Sequence, residues 1–315
     1  MPDPYALPLP FPFPYPCWYP HRMRISGFSF VRNAVDLYYP MEESLRSALP
    51  LCDEFVIAAG DSSDGTSEVL RAMREPKLRI IDTIWDQSQF VRGASNAVQT
   101  NIALDACRGD WCLYLQADEV LHEEDLPALR ACLAAYRDDP RVDGLVFEYL
   151  HFYADYDHVA DAHAWYRREV RLVRGGRGIR SWKSAQGFRR ADGDKLRVVT
   201  AGARIFHYGW VRPPRRMTRK ARALAEVHLG AAGARAYVPD VDSGYDFGQL
   251  HGRTRFTGTH PAVMRSRIAA CDWQVLPTPT VRKHDRLAQR ALSFVENRVL
   301  GFKLAEHRNY VLLPG

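Results

Sequence analysis

The stretch Gly109-Asp110-Trp111-Cys112-Leu113-Tyr114-Leu115-Gln116-Ala117-Asp118-Glu119 decides how this chain is read. Residues 111–115 form an unbroken apolar run rich in aromatics, the pattern of a short strand buried on both faces. The run stops at Gln-Ala-Asp-Glu. In an open α/β sheet, ligands bind beyond the carboxyl ends of the strands, so polar residues at this point are placed for chemistry. Asp118 is the first candidate metal ligand, because a hard divalent ion takes one or two carboxylates and completes its shell with substrate phosphates. The plain alternative is that Asp118 and Glu119 open a loop or cap a helix.

Outward from this run the chain alternates strand and helix. Residues 24–30, 54–59 and 77–82 read as strands, 39–49 and 67–74 as helices, and 89–107 as a long helix leading into the central strand. Met41, Leu45, Ala48 and Leu49 recur at helical spacing. Downstream, 123–136 is a helix with Leu126, Leu129 and Leu133 on one face, and 142–152 is a long strand. Such alternation predicts an α/β fold, a Rossmann-like and mostly parallel sheet flanked by helices. Beyond residue 165 the texture changes to strand-like pieces at 169–173, 178–188, 196–200 and 203–211. A helix near 217–229 and a last helix over 285–302 follow. The chain thus divides into a tail at 1–22, a first half at 23–150, an appended half at 151–235 and an extension at 236–315.

The tail reads PLPFPFPYP at its centre. Proline fixes φ and lacks an amide donor, so this segment is expected to be extended and flexible, with the domain starting near Met23. It has neither the basic start nor the continuous apolar core of a signal peptide. No apolar run reaches the 18 residues of a membrane span. The 315 residues, 46% hydrophobic and 25% charged, have an ordinary globular composition. Six scattered cysteines without a CxxC pair point to free thiols in a reducing compartment and away from a zinc site. The formal charge is only +6, but residues 167–222 hold eighteen Lys or Arg against Glu169, Asp192 and Asp194. That imbalance favours anionic partners, and the alternative is a solvated basic face. Aromatics in this stretch recur at apolar strand positions, which argues for packing rather than nucleic-acid binding.

Three loops are expected at the carboxyl edge of the sheet: Phe30-Val31-Arg32-Asn33, Gly60-Asp61-Ser62-Ser63-Asp64-Gly65-Thr66 and Gln116-Ala117-Asp118-Glu119. The second is also the composition of an Asx turn leading into a helix, a role suited to Asp64, Gly65 and Thr66. Asp61 is left for a base or ribose. No Gly-x-Gly-x-x-Gly follows the first strand and no Gly-x4-Gly-Lys-Ser/Thr occurs, so dinucleotide and P-loop readings fall away.

Taken as a set and at their spacing, these motifs resemble family 2 glycosyltransferases with the GT-A fold, over Met23 to Leu229. Ile205-Phe206-His207-Tyr208-Gly209-Trp210-Val211-Arg212 and Phe256-Thr257-Gly258-Thr259-His260-Pro261 resemble segments of bacterial, non-processive members. The resemblance implies a nucleotide-sugar donor in the 23–150 half, with Phe30, Arg32 and Asn33 near the nucleotide and Asp61 on its base or ribose. It implies Mn2+ or Mg2+ at Asp118, bridging the diphosphate. His207 is a further ligand or phosphate contact, against a core histidine among aromatics. Arg92 is a candidate diphosphate contact, against plain helix-surface charge.

The chain departs from the family pattern where Gln116 replaces the first carboxylate of Asp-x-Asp, which puts Gln116 among the donor-side residues. The Gln-x-x-Arg-Trp motif of processive synthases is missing, so transfer of a single sugar is expected. An inverting transferase needs a carboxylate to take the acceptor proton. Glu148 and Glu169 are the candidates, against a solvent-facing strand position for Glu148 and an ion pair for Glu169. The resulting expectation is a cytoplasmic enzyme, with peripheral contact to an anionic inner membrane. Its acceptor is a cell-envelope glycan or lipid, and nucleic acid is not a partner. The alternatives are a nucleotidyltransferase on a similar sheet and a nucleotide-binding homologue that has lost activity.

Overall fold

The computed structural model describes residues 22–86, 88, 90–304 and 308–314. The proline-rich tail expected at 1–22 therefore lies outside the described residues, Arg22 excepted. In chain order the elements are β1 (Ile25–Val31), α1 (Met41–Ala48), β2 (Glu54–Ala59), α2 (Thr66–Ala72), β3 (Leu78–Asp82), α3 (Ala94–Asp105) and β4 (Trp111–Tyr114). Then come β5 (Glu119–Leu121), α4 (Leu126–Ala135), β6 (Gly144–Tyr153), β7 (His158–Ala160), β8 (Arg168–Arg174), β9 (Arg180–Trp182), β10 (Gly187–Arg189) and β11 (Leu196–Trp210). The chain ends in α5 (Pro214–Tyr237), β12 (Arg253–Arg255), α6 (Arg265–Ala269), α7 (Leu287–Val295) and β13 (Tyr310–Leu312).

The expected α/β class holds. Strands β4, β1, β2 and β3 lie side by side and parallel. Strand β8 joins β4 antiparallel, and β6 pairs β8 antiparallel. Strand β11 runs parallel to β6 and antiparallel to the short β5, so one eleven-stranded sheet passes through both halves of the chain. Two-faced burial explains the central apolar run. Trp111, Leu113 and Leu115 pack with Leu45, Phe55, Leu129 and Leu133 on one side, while Cys112 and Tyr114 pack with Phe28, Val56 and Phe188 on the other. Five cysteines are free thiols, Cys52 and Cys112 buried among them, and Cys17 lies outside the described residues.

Local chemistry accounts for the departures from the expected elements. The helix expected over 89–107 starts only at Ala94, because Arg92 and Gly93 take positive φ of 52° and 75° and cannot continue a right-handed helix. The two strands expected over 196–211 are one. Gly202, at φ 64°, lets the chain bulge between Thr200 and Arg204 without leaving the sheet. Residues 178–188 fold as a small antiparallel pair, β9 with β10. Helix α5 runs longer than expected, with non-helical backbone at Gly230.

One ion pair ties the halves together. Arg171 on β8 and Glu119 on β5 are both fully buried, and the guanidinium grips the carboxylate with two bonds of 2.9 and 2.8 Å. Tyr149 on β6 donates to the same carboxylate at 2.8 Å. Removing one partner of a buried pair strands the other charge, at about 3–5 kcal/mol. Arg171→Met is therefore expected to lose stability of that order in denaturant unfolding, and Arg171→Met with Glu119→Leu to recover much of it. A single variant as stable as the parent would remove the pair from its structural role.

Candidate functional site

The site begins where the parallel strands end. Gly60 N donates to Val31 O at 2.8 Å, and Leu115 N to Phe28 O at 3.1 Å, so the loops after β1, β2 and β4 leave the sheet together. Asn33, at φ 52°, is clasped by the second loop: its amide donates to Ser62 Oγ at 3.0 Å and its side-chain oxygen accepts from Ser63 N at 3.0 Å. Asp64 accepts from Thr66 N and Thr66 Oγ1, the turn-and-cap role expected of it.

Arg32 and Asp61 face one another across this edge, Nε to Oδ1 at 3.0 Å. The Arg32 guanidinium lies over the rings of Trp85 and Phe90 at 5.5 and 6.0 Å, and Phe30 packs on Trp85. Trp85 N also donates to Asp61, and Trp85 Nε1 is buried with no partner among the described residues. A Cβ on residue 60 would come within 2.5 Å of Trp85 Nε1, so glycine is required there for the indole to lie against the loop. The structure thus gathers Phe30, Arg32, Asn33 and Asp61 into one cluster at the sheet edge. Sequence reading missed Trp85 and Phe90, which lie in a stretch without periodicity.

Asp118 and His207 also meet. Asp118 is buried in the turn between β4 and β5, and His207 is buried near the end of β11, with Nε2 3.7 Å from Asp118 Oδ2. The tautomers follow from the network. His151 Nε2 donates to Tyr166 O at 2.8 Å, so His151 Nδ1 accepts from His207 Nδ1, 2.9 Å away. Burial, then the neighbouring His207, holds His151 well below the usual histidine range, and burial lowers His207 too. Neutral His207 therefore turns an unprotonated Nε2 toward an ionised carboxylate. Two electron-pair donors facing each other need a cation. Gly209 keeps the space open, since a Cβ there would lie 2.4 Å from His207 Nε2 and 2.9 Å from Asp118 Oδ2.

Lys220, on α5, supplies one positive charge to this cradle. Its Nζ donates to Asp118 Oδ2 at 3.0 Å and to Gly209 O at 2.7 Å. Arg212 is fully buried beside it, donating to Gly209 O at 3.0 Å and to Leu37 O, with Nε unpartnered among the described residues. Burial raises Asp118, but Lys220 foremost, then His207 in the imidazolium form it takes in acid, and Arg212 outweigh it and hold the carboxyl well below the usual range. Burial, then Arg212, brings Lys220 down to about 8. Among the described residues no three His, Cys, Asp or Glu side chains converge. The donor set of one carboxylate and one imidazole fits a divalent ion that arrives with phosphate oxygens of its own. Lys220 was invisible in the sequence, one cation in an arginine-rich helix.

Of the remaining candidates, Gln116 serves the scaffold, and Arg92 and Glu148 lie apart. Gln116 Nε2 donates to Tyr114 OH and Ala185 O, each at 3.3 Å, a tie across the turn. Arg92 is exposed, and its amide donates to His228 O on α5. Glu148 is exposed on β6 and pairs with Arg168 at 3.2 Å. Glu169 faces Gly187, in the segment that also borders Gln116, and burial, opposed by Arg171, raises it to about 7.

Residues 39–192 match the family described as Glycosyl transferase family 2. No curated protein matches the chain. Among solved structures, S. aureus TarS in complex with UDP-GlcNAc is similar at a TM-score of 0.36 and 14% identity, over 69% of this chain and 70% of that one. Mannosyltransferase PcManGT from Pyrobaculum calidifontis, in complex with GDP-Man and Mn2+, gives 0.31 and 23% over 42% and 37%. Glucosyl-3-phosphoglycerate synthase from Mycobacterium tuberculosis, with Mn2+, UDP and glucosyl-3-phosphoglycerate, gives 0.28 and 17% over 42% and 45%. At these scores no residue's role is carried across from those proteins.

Glu169 offers a check by titration. A carboxyl whose folded pKa of about 7 exceeds its unfolded value binds its proton more tightly in the fold, so stability falls as pH rises through the window between them. Glu169→Gln is expected to unfold like the parent near pH 4 and to be more stable at pH 8, by about 1–3 kcal/mol. Equal stabilities at pH 8 would mean that Glu169 is not shifted.

Proposed function

We propose that this chain, whose residues 39–192 match glycosyl transferase family 2, moves a single sugar, with inversion, from a nucleotide-sugar donor to a cell-envelope glycan or lipid. The observation that carries this reading is the pairing of two side-chain clusters on one sheet edge. Asp61, Arg32 and Trp85 form an aromatic and hydrogen-bonding pocket suited to a base and ribose. Asp118 and His207 face each other across the space that Gly209 leaves open, with Lys220 and Arg212 alongside.

Asp118 and His207 would hold Mn2+ or Mg2+, which supplies charge neutralisation for the departing diphosphate. Lys220 and Arg212 add fixed positive charge where negative charge accumulates, in surroundings dry enough to make it count. Glu169 suits the base better than Glu148. It is poised at about 7, near the pH at which a general base works best, whereas Glu148 stands in solvent against Arg168.

Thermal unfolding with UDP, GDP, CDP and dTDP, each with and without Mn2+, tests the donor pocket. A ligand at a hundred times its Kd stabilises the folded state by about 2.7 kcal/mol, a shift of several degrees. One diphosphate is expected to give that shift with Mn2+, and Asp118→Ala to abolish it. Glu169→Gln should keep the shift and lose turnover. If no diphosphate moves the melting point, the transferase reading fails. A shift with no hydrolysis or transfer of any nucleotide sugar would favour a binding homologue without activity.

A further inference from the structure

Helix α7 is mounted inside out. Its polar side faces the protein: His163 N donates to Ser293 Oγ, and His163 Nδ1 and Leu304 N both bond Glu296 Oε1, all at 2.8 Å. Asn297 Nδ2 donates to Asp161 O at 2.9 Å, and Ser293 and Glu296 are buried. The apolar side faces out. Leu287, Phe294, Val299 and Phe302 are 79%, 63%, 69% and 57% exposed. Leu287 and Phe294 lie on one side of the helix, Val299 stands on the wider turn Glu296–Leu300 that prolongs it, and Phe302 follows just past the left-handed Gly301. An ordinary surface helix shows the reverse arrangement.

The charges follow the same division. Arg286, Arg290 and Arg298 are exposed, and none forms an ion pair among the described residues. Asp285 and Glu296, the two acids between residues 283 and 304, are both buried. The outer surface is therefore apolar, cationic and free of exposed acids over this stretch.

We infer that this face docks on an anionic lipid bilayer, lying in the interface with Leu287, Phe294, Val299 and Phe302 at the acyl boundary and the arginines on headgroup phosphates. A helix with that division of residues binds in the membrane plane. No described helix is long and apolar enough to cross a membrane, so the contact is one-sided. A second copy of the chain is the poorer occupant. Across a twofold axis the face would meet itself, setting arginines against arginines with no acid to answer them. A chain of contacts also runs from this face to the candidate site. Residues 161–163 hold α7, and three residues on, the Tyr166 carbonyl receives His151, which abuts His207. The inference does not depend on the proposed transfer reaction.

Co-sedimentation of the full chain with lipid vesicles tests it. Binding is expected to vesicles that are about a third phosphatidylglycerol and not to pure phosphatidylcholine, weakening as salt is raised. Each arginine near such a surface contributes roughly a fivefold factor, so Arg286→Gln, Arg290→Gln and Arg298→Gln together should weaken binding on the order of a hundredfold. Phe294→Ser with Val299→Ser should remove it while leaving the melting temperature within a few degrees of the parent. Equal partition onto neutral and anionic vesicles, or variants that bind like the parent, would overturn the inference. So would a dimer in vesicle-free buffer that the Phe294→Ser, Val299→Ser chain no longer forms, since a second copy would then cover the face.

Discussion

The buried pair of Glu119 and Arg171 is the constraint on which the site's geometry rests. Every strong demand of the carboxylate is met: Arg171 and Gln116 N bond one oxygen, and Arg171 and Tyr149 bond the other. The guanidinium is completed by the carbonyls of Val170 and Gln186. A pair so satisfied specifies one arrangement, because any slip of β5 against β8 would leave a charge in a dry interior. The turn that carries Asp118 is thereby fixed from beneath. Asp118 does chemistry in the proposal above, but its neighbour in sequence aims it.

The arginine-rich stretch shows how a charge run can mislead. Much of it is spent within the fold. Arg174 stacks on Trp111 at 3.9 Å and bonds the carbonyl of Val142. Arg197 grips Asp143, and Arg204 grips Asp125, each through two or more bonds. Arg212 is buried under the candidate site. Arg286, Arg290 and Arg298, in and around α7, form no ion pair among the described residues and flank an apolar surface.

Much of the fold was legible because buried parallel strands declare themselves as short apolar runs with turn residues at their ends. Glu54–Ala59 matches its expected bounds, and β1, β3 and β4 differ by a residue or so at each end. What failed was governed by single backbone conformations: the left-handed Arg92 and Gly93 before α3, and the bulge at Gly202 that let one strand look like two. At the candidate site, the positions of Asp61, Asp118 and His207 were legible because strand ends place them, and the structure sets Asp61 beside Arg32 and Asp118 beside His207. Lys220 and Trp85 were not legible. Each is chosen by a contact across more than twenty residues, Lys220 with Asp118 and Trp85 with Asp61, and no local pattern encodes such a contact.

Helix α5 touches both ends of the proposed donor pocket. Near its start Lys220 lies on Asp118, and two turns on, the carbonyls of Val227 and His228 receive the amides of Gly93 and Arg92. The eight residue steps from Lys220 to His228 span about 12 Å of stiff helix. The loop bearing Trp85 and Phe90 and the cation cradle are therefore joined by a strut. A pull on that loop is felt as an axial load at Lys220, so the spacing of the two pockets is set by a rigid member rather than by the sum of soft loop contacts.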